Sequence, residues 1–240
     1  MDAKKYAILA FGGVGSRFGW SKPKQFYPIK GEKTILEYLV EKFLSFSIFD
    51  EIVVLSPPTY IEETSKVLSK LNCEPHKVHI LAGGDTREHS VWNGISFLKN
   101  RAKEDDIVLI HDGARPLVSK EIIIRNIELC NIYGSVVTAI SSTDTVSYSE
   151  NGLKIGEIVE RSKIYMHQTP QTFRFGIIYS AMESNIEKLH VFSDDASIVL
   201  ASGYEVYYAK GHRLNLKVTT MEDLDILKYI VDKGGDLSES

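Results

Sequence analysis

The chain has 240 residues, 43% of them hydrophobic and 25% charged, with a formal net charge of −4. That is enough apolar material for one large domain with a full core, 1–240, and it excludes a disordered chain or one drawn to nucleic acid by a global basic field. Met1 to Lys5 runs into a short strand without a secretory leader, and no apolar run nears the ~20 residues of a membrane span, so no membrane partner is expected.

In chain order, Ala7–Phe11 is a buried strand candidate, and Thr34–Phe46 carries helical spacing in Ile35, Leu36, Leu39, Val40 and Phe43. Ile52–Ser56 reads as a strand stopped by Pro57-Pro58, Ile61–Leu71 as a helix and Lys77–Leu81 as a strand. Gly83-Gly84-Asp85 turns the chain into a helix over Arg87–Lys99, followed by a strand at Asp106–His111, a helix at Lys120–Tyr133 and a strand at Ser135–Ile140. Continuous apolar strands alternating with helices predict an α/β fold, an open and mostly parallel sheet with helices on both faces.

The rhythm breaks between Ser141 and Thr169, where Thr145–Tyr148 and Leu153–Ile158 flank Glu150-Asn151-Gly152. Asn-Gly between alternating stretches is a hairpin signal. So polar a hairpin buries itself poorly, and the expectation is an arm projecting from the sheet toward a partner surface. Gln168 to Arg174 then reads as a rigid connector leaving the arm, with Pro170 in an extended turn. Helices at Gly176–Asn185, Ala196–Ser202 and Glu222–Lys233 and a strand at Glu205–Ala209 complete the chain, with a polar, frayed tail from Gly234. Cys73 and Cys130 lack metal-ligand spacing and read as small buried hydrophobes of a reducing compartment, so the expected location is cytoplasmic.

The first strand stops at Gly12-Gly13-Val14-Gly15, with Arg17 and Lys24 close behind. Bare backbone beside fixed positive charge suits a polyphosphate. The dinucleotide fingerprint is not met, since Phe18 stands at its third glycine, and no ATP-binding P-loop string occurs. The plain alternative is a strand-exit turn with solvated charges.

In open α/β sheets ligands sit beyond the carboxyl ends of the strands. There lie the Gly12 loop, Gly83-Gly84-Asp85-Thr86-Arg87 and His111-Asp112-Gly113-Ala114-Arg115, which should build one pocket. Asp112 is the candidate Mg²⁺ anchor beside phosphates, or else an Asx cap, and Arg115 a loop-ordering residue. Asp85 is a candidate helix cap; Arg87 and Ser90, at the helix N-terminus, are candidates for a base or ribose. Asp194 or Ser193 caps the helix that follows, although the Asp194-Asp195 pair also suits a metal or a hydroxylated substrate. Thr220 caps the last helix, and His111 and His212 read as structural.

Together GGVGSRF with PKQF, GGDTREHSVWNG, HDGARPLV, TPQTF, SDDAS and NLKVTT resemble, in order and over about residues 6–225, the methylerythritol phosphate cytidylyltransferase family and its relatives, the ribitol 5-phosphate cytidylyltransferases. The resemblance implies a nucleotidyltransferase fold, a homodimer formed through the arm at about 141–169, and transfer of CMP from CTP to a polyol phosphate with release of pyrophosphate. It implies Arg17 and Lys24 as the catalytic cations and Gly12, Gly13 and Gly15 along the triphosphate. It further implies Gly83, Asp85, Arg87 and Ser90 at cytosine and ribose, with Asp112, Gly113 and Ala114 beside the nucleotide and Asp112 near Mg²⁺. Thr145, Arg161 and Lys217 would hold the acceptor, Arg161 from the neighbouring subunit. HDGARP and SDDAS lean to methylerythritol phosphate, with ribitol 5-phosphate as the alternative acceptor and a non-catalytic nucleotide-binding module as the alternative class. Phe11 and Phe18 depart from the family pattern, and Phe11 bears on the backbone contacts at the loop start.

Overall fold

The computed structural model describes residues 3–11, 22–74 and 76–234. The chain runs β1 (Lys5–Ala10), β2 (Pro28–Lys30), β3 (Lys33–Thr34), α1 (Ile35–Phe46), β4 (Glu51–Ser56), α2 (Ile61–Leu68), β5 (Val78–Ala82) and α3 (Arg87–Leu98). It continues with β6 (Ile107–Asp112), α4 (Lys120–Tyr133), β7 (Ser135–Ser141), β8 (Val146–Tyr148), β9 (Glu157–Val159), β10 (Tyr165–Arg174), α5 (Phe175–Ser184), α6 (Asp195–Ala201), β11 (Tyr207–Lys210) and α7 (Met221–Asp232).

Seven strands form one sheet in the order β11-β7-β10-β6-β1-β4-β5, parallel except for β10, which runs antiparallel to both β6 and β7. Alternation along the strands sends Ala7, Leu9, Ile52, Val54 and Leu109 to one face, under α1 and α4. Tyr6, Ile8, Val53, Leu55, Val108 and Ile110 face the other side, under α3, α5 and α6. Both faces are dry, which is why the central strands read as unbroken apolar runs. Phe43 of α1 is 1% exposed, so Phe43→Ala would cost about 3–5 kcal/mol.

Thr34 caps α1 and Ser119 caps α4, each hydroxyl accepting a backbone N–H, and Gly134 ends α4 with φ +81°. Asp194 caps α6 and Thr220 caps α7, both as reciprocal capping boxes with the residue three positions on. A third apolar cluster joins α7 (Leu224, Leu227, Val231) to Ile29, Ile35, Leu117 and Val218, pinning the segment before α7 behind the strand ends.

Three expectations are corrected. Gln168 to Arg174 is no connector: it is the interior of β10, and the arm therefore ends before Tyr165. Pro170 is accommodated where pairing with β7 shifts register between His167 and Gln171, since a bulge relieves a strand of the missing N–H. Cys73 is exposed, whereas Cys130 is buried. The arm hairpin has a wider turn than expected. Val146 pairs with Val159 and Tyr148 with Glu157, while Asn151 Oδ1 accepts from Leu153 and Lys154 N–H within the loop and Gly152 takes φ +70°. Its apolar side chains stay in solvent: Leu153 is 92% exposed and Ile158 65%. Among the described residues no helix is long and apolar enough to cross a membrane.

Candidate active site

The carboxyl ends of β1, β5 and β6 meet at a cleft of about 310 Å³, walled by Phe11, Asp85, Arg87, Asp112 and Ala114, with Lys24 and Lys217 on its rim. Gly12, Gly13, Gly15, Arg17 and Phe18 lie outside the described residues. Lys24 opens a short 3-10 turn after Pro23 and donates to Val218 O at 2.7 Å, while Val218 N–H donates to Ala114 O at 2.8 Å. Buried Val218 thus ties Lys24, the β6 exit loop and the Lys217 segment into one frame.

The β5 exit loop is shaped from within. Ser90, 1% exposed, donates its hydroxyl to Thr86 O at 2.8 Å and accepts Gly84 N–H at 3.0 Å. A Cβ on Gly83 would stand 2.9 Å from Ser90 Oγ, and one on Gly84 2.7 Å from His89 Cβ, so both glycines are required by close approach. Ser90 therefore builds the loop rather than presenting a free hydroxyl to a ribose. Thr86, not Asp85, caps α3, accepting His89 N–H at 3.2 Å, and Asp85 is left exposed at the cleft.

The back wall is a chain of charges. Asp195, fully buried, receives both terminal nitrogens of Arg87 at 3.0 and 2.8 Å. Arg87 Nε donates to Asp112 Oδ1 at 2.8 Å, and Lys217 Nζ lies 2.8 Å from Asp112 Oδ2. Burial would push the Asp112 carboxyl up, but Arg87 and then Lys217 outweigh it and hold it far below the usual carboxylate range. Burial likewise opposes the charge on Arg87; Asp195 and then Asp112 overcome it and keep the guanidinium firmly protonated. Arg115 adds a third cation 4.0 Å from Asp112 and donates to Asn215 O at 2.8 Å, ordering the loop as expected. Arg87, Arg115, Lys217 and Lys24 stand against Asp112, Asp195 and Asp85, which leaves one positive charge in excess. Arg87 is thus a half-buried strut, three of its five N–H donors committed to the two carboxylates.

His111 is buried, and burial lowers its pKa to about 4, so the ring is neutral. Its Nε2 faces Arg115 O at 3.0 Å and its Nδ1 faces Thr169 Oγ1 at 3.1 Å. Since a carbonyl only accepts, Nε2 carries the proton and Nδ1 accepts from Thr169, whose oxygen accepts Asp112 N–H at 3.0 Å. Asn215 Nδ2 donates to Thr169 O at 2.8 Å. Phe11 is fitted to this loop: a Cβ on Gly113 would lie 2.2 Å from its ring, and Gln25 Nε2 holds Phe11 O at 3.1 Å. The departure at Phe11 is therefore matched by Gly113.

Beyond the wall lies a second cleft of about 420 Å³, sharing Arg87, Asp112 and Lys217 with the first and bounded by Arg115, His167 and Asp194. Asp194 Oδ2 accepts from His167 Nδ1 at 2.8 Å and Gln171 Nε2 at 2.9 Å, while its Oδ1 caps α6. Thr145 and Arg161 line neither cleft; both are exposed on the arm, where Arg161 Nη1 reaches Thr143 O at 3.4 Å. Gln25, Asn215, His167 and the buried role of Asp195 went unread in the sequence. No local signal marked them; for His167 the reason is that β10 carries Pro170 and lacks a regular alternation of polar and apolar residues.

Among the described residues no three His, Cys, Asp or Glu side chains assemble as a metal site. The donors fit Mg²⁺ in a shared mode only, one carboxylate plus phosphate oxygens and water. Asp112 has lone pairs to spare, each oxygen meeting one cationic nitrogen within hydrogen-bond reach.

A mostly parallel sheet with helices on both faces, whose strand ends carry a cationic cleft split by one buried aspartate, defines an α/β nucleotidyltransferase. The profile of the 2-C-methyl-D-erythritol 4-phosphate cytidylyltransferase family matches residues 6–233. Curated proteins of that name from Thermosipho africanus and Thermosipho melanesiensis are each 44% identical, over 220 and 221 residues, 92% of this chain and 95% of theirs. Among solved structures, 2-C-methyl-D-erythritol 4-phosphate cytidylyltransferase of Francisella tularensis superposes with a TM-score of 0.80 at 28% identity, covering 95% of this chain and 99% of that one. The enzyme of that name from Thermus thermophilus gives 0.74 at 27%, covering 97% and 100%. The chain belongs to the 2-C-methyl-D-erythritol 4-phosphate cytidylyltransferase family, and it is a CTP-dependent cytidylyltransferase.

Proposed function

We propose that the first cleft holds CTP and the second 2-C-methyl-D-erythritol 4-phosphate, and that CMP passes between them across Asp112 with release of pyrophosphate, a step of isoprenoid precursor synthesis. The observation that carries this reading is the shared wall: Arg87, Asp112 and Lys217 border both clefts, so two anions in them would meet at one cationic partition. The Gly83–Thr86 loop and Asp85 frame the nucleoside end, and Gly12, Gly13 and Gly15 take the triphosphate, beside Gly113 and Ala114.

The acceptor phosphate oxygen is already anionic near neutral pH, so no general base is needed. The barrier is repulsion between that oxygen and the α-phosphate of CTP. Arg17 and Lys24 stabilise the charge that builds on the α-phosphate and on departing pyrophosphate. Lys217 and Arg115 steady the incoming phosphate, and orientation of this kind lowers the barrier. Mg²⁺, held by Asp112 and the phosphates, would supply further charge neutralisation. Arg161 and Thr145 complete the acceptor site of the neighbouring subunit of a homodimer formed through the arm. Their distance from their own clefts supports this, as do the bare Leu153 and Ile158. We place the enzyme in the cytoplasm as a single nucleotidyltransferase domain, in keeping with its free cysteines.

Pyrophosphate release from CTP, measured with 2-C-methyl-D-erythritol 4-phosphate and with ribitol 5-phosphate, with and without a chelator, tests this reading. Turnover with the first acceptor that stops on chelation and returns with Mg²⁺ is expected. Faster turnover with ribitol 5-phosphate would overturn the acceptor assignment.

A further inference from the structure

Two charged groupings line the second cleft. Lys217 and Arg115 stand beside Asp112, while His167, next to the register shift of β10, is paired with Asp194. Asp194 Oδ2 accepts from both His167 Nδ1 and Gln171 Nε2, so its carboxylate is fixed and negative. Its pKa is about 2: burial raises it, but the bonds from His167 and Gln171 and the α6 N–H lower it further. Lys217 and Arg115 share the Asp112 carboxylate, whereas any charge on His167 is balanced by Asp194, so the acceptor is oriented phosphate to Lys217 and hydroxylated tail to His167.

The His167 ring is oriented at two places. Asp194 holds Nδ1, and Tyr208 meets the ring edge-on with centroids 5.9 Å apart. Its side chain is 36% exposed, and among the described residues Nε2 makes no hydrogen bond. With Nδ1–H given to a carboxylate, Nε2 accepts a hydrogen bond when the ring is neutral and donates one when it is protonated. A hydroxyl satisfies either state, because it both donates and accepts.

We propose that His167, its ring held by Asp194, reads a hydroxyl of the acceptor through Nε2 and is a specificity-determining residue for the polyol phosphate. The proposal rests on the second cleft being the acceptor site. A polyol whose hydroxyl misses this edge leaves a fixed polar group unpaired, and discrimination of this kind exceeds what an apolar pocket gives for one methylene.

Two substitutions separate reading from mere support. An asparagine amide nitrogen can occupy the position of Nδ1 and keep the bond to Asp194, but it offers nothing where Nε2 was. Steady-state kinetics of the full chain should show the acceptor KM raised about tenfold in both His167→Ala and His167→Asn. The KM for CTP should stay within about twofold, and the preference for 2-C-methyl-D-erythritol 4-phosphate over ribitol 5-phosphate should fall by about the same tenfold. If His167→Asn restores the wild-type acceptor KM and preference, His167 only props Asp194 and the proposal is overturned. If His167→Ala does not fold, His167→Asn carries the test alone. Lys217→Ala distinguishes the two levels. An acceptor KM raised by Lys217→Ala but unmoved by His167→Asn rejects the role of His167 and keeps the cleft. An acceptor KM unmoved by Lys217→Ala rejects the cleft itself.

Discussion

The wall between the clefts and the arm both carry arginines, and they use them in opposite ways. Arg87 is half-buried, and each of its three nitrogens bonds Asp195 or Asp112, so its position is set by those two buried carboxylates. Arg161 stands on an exposed 3-10 turn between β9 and β10 with one long bond to a carbonyl. Removing a partner from the wall leaves a half-buried charge unpaired. Removing Arg161 exposes nothing new in the isolated chain. The wall is therefore a matter of folding and geometry, and the arm a matter of assembly.

The sharpest way to separate geometry from chemistry is at the rim. Lys24→Ala should lower kcat by about 10³-fold, the magnitude of a lost transition-state donor, in a chain that still folds, with a modest fall in melting temperature from the lost bond to Val218 O. Near-normal turnover of the purified variant would remove Lys24 from the mechanism. Asp195→Ala should break the wall: Arg87 loses its bidentate partner, and stability should fall by about 3–5 kcal/mol in denaturant titrations. A change below about 1 kcal/mol would mean that the strut is not structural.

For the arm, Arg161→Ala should raise the acceptor KM about tenfold or more while leaving unfolding unchanged. An effect confined to CTP would contradict its assignment. Mixing Lys24→Ala and Arg161→Ala chains, assayed at an acceptor concentration well below KM where each alone turns over slowly, tests whether it acts across subunits. A dimer of one each has one intact site, so random reassociation should recover about a quarter of wild-type activity. No recovery would place Arg161 in its own subunit's site.

The smallest effect lies between the two regions, at His167. The hydrogen bond that His167 donates to Asp194 raises its pKa above the usual 6.5, partly opposed by burial. The sign follows: stability from this pair is full below about pH 6.5 and fades as pH rises through the raised value. On the acid side it is full above 3.8 and fades as pH falls toward about 2, where Asp194 protonates. An NMR titration should put the His167 midpoint above 6.5 and return it toward 6.5 in Asp194→Asn. A midpoint unmoved by that substitution would deny the contact.

Much of this was legible without coordinates, because the signals are local. Hydrophobic period placed α1, α3, α4 and α7 to within a few residues, with Thr220 read as the cap of α7, and the strand-end strings named Asp112 and, behind the Gly12 loop, Lys24, whereas Lys217 was marked only by the family resemblance. Local signals failed where contacts are remote in sequence. The strand around Gln168 to Arg174 was unreadable because Pro170 argues against a sheet interior, and only pairing with β6 and β7 overrides it. Ser90 and Arg87 looked like ligand contacts on the first turn of a helix. Their hydroxyl and guanidinium also bond Thr86 and Gly84 and, 108 residues away, Asp195, a structural role the sequence did not show. Chain-local physics decided which segments become strands and helices and which charges reach the sheet's rim. Burial decided which of those charges stay available to meet a substrate, since a buried ion must find its partner wherever the fold brings one.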